Sequence, residues 1–425
     1  MHTRISVVGG GYVGLVSAAC FSQLGHIVNL IEIDPTKVQA INQGRPPIYE
    51  NGLEEILLAH VGKNLTATSS YESIPDSEVV LICVGTPQAQ DGGADLSMIS
   101  SAARSIGIAL QRSDGYHVVA VKSTVPPGTT EHLVRPTVMK CSEKDANAIG
   151  FVMNPEFLRE GLAVQDFMKP DRIVIGSSDQ MAGDRFEGIY SGLEAPLIRT
   201  SLTAAEMIKY TSNAFLSTKI SFSNEIGNIC KRLGIDVYEV MKGVGLDHRI
   251  NPYFLNAGAG FGGSCFPKDV SALIHLAKNV GEDPALLNAV VEINDKQPMR
   301  MIELLEKRVG NLQGKKIAVI GLAFKNDTDD ARESRAIPVI IELIQRGAKV
   351  AAYDPQANSS MSKIVPEISY CANPSDALEM ADACLVMTEW PEFSYLDREF
   401  DLMKRKVIIE GRRILSCKDA EGICW

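Results

Sequence analysis

The chain has 425 residues, 45% of them hydrophobic and 22% charged, which is enough for two or three domains each with its own core. A net charge of −10 with no Lys/Arg cluster excludes nucleic acid or an anionic membrane as the main partner, and no apolar run reaches membrane-spanning length. Nine cysteines without a CxxC pair suggest neither a disulfide framework nor a metal site, and an N-terminus that runs straight into a strand points to the cytoplasm.

The first segment, "RISVVGGGYVGLVSAACFSQLGHIVNLIEID", reads as strand, glycine turn, helix and second strand, a βαβ unit. Gly9, Gly11 and Gly14 fit G-x-G-x-x-G between strand and helix, and Glu32 ends the second strand where a ribose-binding acid belongs. Backbone N–H groups at such a helix start hold a pyrophosphate. A carboxylate at Glu32 accepts ribose hydroxyls and repels a 2′-phosphate, so the expected cofactor is NAD. Tyr12, Val13 and Lys37 are counted with this site.

Further strands follow at "SEVVLICVGTP" and "YHVVAVKSTVPPGTT", whose carboxyl ends face the ligand crevice of a parallel sheet. Thr86 and Thr124 are placed there to offer hydroxyls near the cofactor, or simply to form the turns. Past "GFVMNPEFLREG" the spacing becomes helical, starting with "LTAAEMIKYTSNAFLSTKISFSNEIGNICKRLGI", for which Gly234 is the expected stop. Lys209 and Asn213 share one face of that helix; on the helix alone, Lys209 reads as an exposed cation beside Glu206. Two more helical stretches, "VSALIHLAKNVG" and "PALLNAVVEINDKQPMRMIELLEKRVG", complete the middle.

The C-terminal part repeats the first: "KKIAVIGLAFK" parallels "RISVVGGGYVG", "GAKVAAYDP" parallels "GHIVNLIEIDP", and "ADACLVMTEWPEF" parallels "SEVVLICVGTPQA". The expected fold is therefore α/β: two Rossmann-like doubly wound domains, 1–196 and 301–425, joined by a central helical domain over 197–300 with a long connecting helix. The second half lacks the glycine fingerprint; its turn, "GLAFKNDTDDARES", instead offers Lys325 and Arg332 to phosphates.

One stretch stands apart. "GAGFGGSCFPKDV" sets Cys265 after a glycine run and ahead of Lys268 and Asp269. A thiolate adds to an aldehyde to give a thiohemiacetal, which loses hydride to leave a thioester for water, so such a cysteine points to oxidation through to an acid. Lys268 is a cation suited to favouring the thiolate, and Asp269 to activating water. The plain alternative is a buried cysteine in a loop before a helix that starts near Pro267.

"GFGGSCFPKD" resembles the signature of the UDP-glucose/GDP-mannose 6-dehydrogenase family. The resemblance extends through "GGGYVGLVSAAC", "VGTP", "STVPPGTT", "NPEFLREG", "AEMIKYTSNAF", "GLAFKNDTDDARES" and "EGICW", nearly the whole chain. Related N-acetylhexosamine enzymes usually carry histidine where Ser264 stands. The resemblance implies a four-electron oxidation of UDP-glucose to UDP-glucuronate with two NAD reduced, GDP-mannose being the rival substrate. It makes Cys265 the nucleophile, Lys209 and Asn213 the pair on the C6 oxygen, and Asp269 their carboxylate partner with an ordered water. Glu156 becomes the acid/base of thioester hydrolysis, and Thr124 a hydroxyl near water and nicotinamide. Substrate contacts fall on Phe157, Leu158, Glu160, Phe254, Leu255, Gly262, Lys325 and Arg412, the last in competition with Arg413. Glu160, Lys268 and Arg332 are carried over as cofactor contacts. Arg249 is implied to reach a neighbouring subunit's site, which makes a homodimer the expected state. The bland alternatives leave Glu156 and Glu160 as solvated charges and Arg249 as a surface cation. A single-step hydroxyacid dehydrogenase and a non-catalytic nucleotide-sugar sensor are the competing functions.

Overall fold

The apolar runs become parallel strands buried on both faces, because helices cover each side of a doubly wound sheet. In the computed structural model, which describes residues 2–145, 147–416 and 419–425, the chain divides into two units, Met1–Ser212 and Asn213–Trp425. The first holds β1 (Arg4–Val8), β2 (Ile27–Ile31), β3 (Leu65–Thr68), β4 (Val79–Ile82), β5 (His117–Val121), β6 (Ile149–Met153), β7 (Ile173–Ser177) and β8 (Leu197–Thr200). Their order is β3-β2-β1-β4-β5-β6-β7-β8, parallel apart from β7 against β6. The order reverses beside β1, and above the carboxyl ends of β1 and β4 such sheets leave a crevice for a ligand. One face packs Ile5, Val7 and Val118 with Leu15 and Phe21; the other packs Val8, Ile82 and Phe151 with Ile99 and Ile106.

The second unit carries β9 (Lys316–Ile320), β10 (Lys349–Tyr353), β11 (Ser369–Tyr370), β12 (Ala383–Val386), β13 (Ile408–Glu410) and β14 (Ala420–Gly422), in the order β11-β10-β9-β12-β13-β14. β9, which carries "KIAVI", thus holds the central place that β1 holds in the first sheet, with β10 and β12 flanking it as β2 and β4 flank β1. Two Rossmann-like sheets with helices between them in sequence are what the internal repeat predicts. Cys230, Val237, Met241 and Leu255 of the helical segment pack in one core with Ile317, Leu322 and Val386 of the second sheet.

The long helix spans Leu202–Leu233, and Gly234 follows it at φ +70°. Glycine at that left-handed position lets the chain leave the helix without a Cβ penalty. Cys83 and Cys384 are core residues, as their apolar settings suggest. Trp390 donates from Nε1 to Asp354 Oδ2 at 3.0 Å, and the Trp425 ring meets Tyr238 edge-on at 5.2 Å. No helix among the described residues is long and apolar enough to cross a membrane.

Candidate active site

In the first unit the glycine turn connects β1 to the helix Tyr12–Gln23, whose N-cap is Gly11. Gly9 takes φ +104°, and a Cβ on Gly14 would lie 1.8 Å from the Gly9 carbonyl oxygen, so the turn closes only without side chains. A Cβ on Gly11 would meet nothing within 4 Å, which leaves the helix start open to an anion. Glu32 is buried at the end of β2, its Oε2 accepting from Gly10 N at 2.8 Å and its Oε1 from Asp34 N at 2.9 Å. A carboxylate fixed by two amides keeps lone pairs for ribose hydroxyls. Beside it Ile33 is 82% exposed, a large apolar surface suited to a flat base that the motif reading missed. These features fit a dinucleotide with an unmodified ribose. Val13 and Lys37 are half-buried in the first turns of their helices. Thr86 Oγ1 donates to the Thr124 carbonyl at 2.9 Å, so Thr86 ties the β4 and β5 ends together, as a turn former does; Thr124 is half-buried.

The segment after β6 is built around buried charge. Glu156 and Lys209 are 6% and 4% exposed, and Oε1 meets Nζ at 3.0 Å. Glu156 Oε2 also accepts from Leu158 N at 2.6 Å. Burial pushes the Glu156 carboxyl up, but the Lys209 ammonium and the Leu158 amide outweigh it and hold the group below its ordinary value. Both plain alternatives fail here: Glu156 is no solvated charge, and Lys209 is neither exposed nor paired with Glu206. Glu206 instead accepts from Gly128 N, Thr130 N and Thr130 Oγ1, pinning the loop after β5. Phe157 lies under the Arg172 guanidinium at 3.7 Å, with Lys209 Nζ 5.5 Å from its ring centre. Arg172 escaped the sequence reading because its partner stands fifteen residues upstream. Leu158 and Glu160 are half-buried on the same segment.

In the second unit Cys265 is exposed, not buried, and forms the N-cap of the helix Phe266–Asn279, with Pro267 in the first turn. The positive end of a helix stabilises an anion beside it. One turn on, buried Asp269 accepts from Asn213 Nδ2 at 2.6 Å on Oδ2 and from Lys268 Nζ on Oδ1. Lys268 thus neutralises Asp269.

The glycines before the thiol are required by the close approach of other backbone and of a ring. A Cβ on Gly258 would lie 2.3 Å from Gly411 O, on Gly262 2.0 Å from Glu333 O, and on Gly263 2.7 Å from the Phe324 ring. The run threads between protein backbones, held by Ala259 N to Gly411 O at 2.8 Å and Gly263 N to Arg332 O at 3.1 Å.

The remaining candidates are occupied in different ways. Phe254 takes φ +64° and packs near Phe266 at 6.2 Å. Leu255 is 5% exposed in the core, so its side chain is spent on packing. Arg249 is exposed and paired with Asp247 of its own turn. Lys325 Nζ donates to Asn326 O at 2.8 Å, and Arg332 forks onto Asp330. Arg412 donates to Gly260 O and meets Glu389 at 3.2 Å, whereas Arg413 is engaged with Asp236 and the Tyr238 ring.

Three family models match the chain: the NAD-binding domain of the UDP-glucose/GDP-mannose dehydrogenase family over residues 3–194, its central domain over 203–296 and its UDP-binding domain over 318–417. The UDP-glucose 6-dehydrogenase AglM of Haloferax volcanii is 46% identical, covering 98% of each chain. TuaD of Bacillus subtilis, also a UDP-glucose 6-dehydrogenase, is 45% identical over 99% of this chain and 91% of its own. A UDP-glucose dehydrogenase structure from Pyrobaculum islandicum superposes with a TM-score of 0.96 at 41% identity, covering 100% of this chain and 98% of that one.

Proposed function

Because the chain belongs to the UDP-glucose/GDP-mannose dehydrogenase family and is an NAD-dependent dehydrogenase, we propose that it oxidises UDP-glucose to UDP-glucuronate. The observation that carries this reading is an exposed Cys265 at a helix start, one turn from a buried Asp269 held by Asn213. The glycine turn and Glu32 would hold NAD, which when bound would supply the hydride acceptor for both oxidations.

The roles of the side chains follow from chemistry. Lys209 and Asn213 donate to the C6 oxygen and stabilise the charge that develops there. The Cys265 thiolate adds to the aldehyde carbon, forming a C–S bond and an alkoxide that Lys209 or the Asp269-bound water protonates. In each oxidation the oxygen's proton passes to the Asp269-bound water as the hydride leaves, so the first gives the aldehyde and the second gives the thioester. Glu156, held ionised by Lys209, takes a proton from water as the water oxygen attacks; collapse breaks the C–S bond and returns the thiolate. The sum is one alcohol, two NAD and one water giving one carboxylate, two NADH and three protons. Phe157, Leu158 and Glu160 line the sugar, while Lys325 and Arg412 serve the diphosphate after Lys325 releases Asn326. Arg332, on leaving Asp330, serves the cofactor phosphates.

The functional division we propose is 1–196 for cofactor, 197–300 for the reacting carbon and self-association, and 301–425 for the nucleotide. A homodimer is supported by Phe215, Phe222 and Ile229, which are 63%, 49% and 52% exposed at seven-residue intervals along one helix. In that dimer Arg249 reaches the neighbour's sugar.

The test is to incubate purified protein with NAD and a panel of UDP- and GDP-sugars and count NADH per sugar consumed. Two NADH per UDP-glucose are expected, and Cys265→Ser should stop acid formation. Turnover of GDP-mannose but not UDP-glucose would overturn the substrate; full activity of the serine variant would overturn the thioester.

A further inference from the structure

Several buried carboxylates take no part in the mechanism, and one of them, Glu50, bonds to the helix that opens at the cofactor turn. Glu50 lies in "PIYENGL", is 7% exposed, and stands 111 residues from its main partner. Its Oε2 accepts from the Tyr12 hydroxyl and, at 2.7 Å, from Gly161 N; Oε1 accepts from Val164 N at 3.4 Å. Gly161 N also donates to the Tyr12 oxygen at 2.7 Å, and Gly161 O accepts from Asn51 Nδ2 at 2.9 Å. Gly161 itself takes φ +82°, so this end of the segment has a conformation that few other residues adopt.

The two sides of this cluster have different jobs. Tyr12 is the first residue of the helix that opens the cofactor turn. Gly161 ends the segment that carries Glu156, Phe157, Leu158 and Glu160. The other end of that segment is stapled at Asn154, whose Oδ1 accepts from Lys122 Nζ at 2.8 Å and from Tyr190 OH at 2.6 Å. A strap fixed at Asn154 therefore has its second anchor on the cofactor turn, and Glu50 is the joint.

We propose that Glu50 is a positioning residue that makes binding of cofactor and nucleotide sugar interdependent. Occupation of the turn fixes the first turn of the Tyr12–Gln23 helix, and the Tyr12 hydroxyl fixes the Glu50 carboxylate. That carboxylate fixes Gly161, so the strap meets the sugar already ordered. The ordering cost is then borne once for two ligands, which is positive coupling without any large displacement. This rests on the reading that the strap lines the sugar.

The variants are Glu50→Gln, which keeps the shape but turns an N–H toward a donor, and Tyr12→Phe, which removes the hydroxyl that ties the helix to the carboxylate and to Gly161 N. Calorimetry measures the affinity of the full chain for UDP-glucose with and without saturating NADH, so that no turnover intervenes. The wild type should bind at least about 5-fold more tightly with NADH, the lower end of ordinary coupling. In each variant that ratio should fall toward one, with affinity in the absence of NADH changed by less than about 3-fold. A ratio retained in both variants, or a wild-type ratio of one in an enzyme that turns over UDP-glucose, overturns the proposal. Failure of the wild type to oxidise UDP-glucose at all defeats the substrate reading instead. Should Glu50→Gln not fold by circular dichroism, Tyr12→Phe alone decides.

Discussion

Exposure separates the cysteines by reactivity. Burial pushes the thiols of Cys20, Cys83 and Cys424 up to about 12, while Cys265 is open to solvent at a helix start. Iodoacetamide at neutral pH should label Cys265 well before those three, read by peptide mass spectrometry, and UDP-glucose should protect it. The buried Glu156–Lys209 pair makes a second prediction. Lys209→Met strands a buried carboxylate and should cost about 3–5 kcal/mol near pH 7, measured by denaturant midpoint. Glu156 is depressed in the folded state, so its contribution is fully present above the ordinary value of 4.5 and is lost as pH falls through the lower folded value. The gap between variant and wild type should therefore narrow on acidification. Cys265 and Asp269 stand out in the sequence as a thiol and a carboxylate four residues apart after a glycine run, whereas Lys209, an exposed cation on its helix alone, is marked only by the family resemblance. Glu50, Arg172 and Lys122 do not stand out, since each matters only through a partner that folding brings from elsewhere in the chain.

Elements were legible to the extent that their signals are local. The strand-turn-helix of the first unit announces itself by glycine spacing, and the long helix by its period and by Gly234. Why the run before Cys265 is glycine is not legible in the sequence, because nothing nearby shows that Gly411 and Glu333 press on it. Gly262→Ala should force that loop away from the Glu333 carbonyl, costing about 1–3 kcal/mol of stability and at least ten-fold in kcat, by melting and steady-state assay. Its affinity for NADH should fall much less than kcat, because the loop disturbs the cofactor site only through the backbone beside Arg332 while the glycine turn and Glu32 lie in the first unit. The opposite pattern is expected of Gly14→Ala, where a Cβ would strike the Gly9 carbonyl: NADH affinity is lost while the second unit melts as before.

For the whole molecule, self-association is tested on the exposed stripe. Phe222→Asp should halve the mass seen by sedimentation, and activity should fall with it if Arg249 serves a neighbour. Among the two tryptophans of the chain, both belong to Asn213–Trp425, one buried against Asp354 and one edge-on to Tyr238. Indole emission is consequently a private signal of that half, whereas amide ellipticity sums over both. A thermal scan followed by the two signals in one cuvette gives two midpoints, and the gap between them measures how independently the cofactor-binding and nucleotide-binding halves come apart.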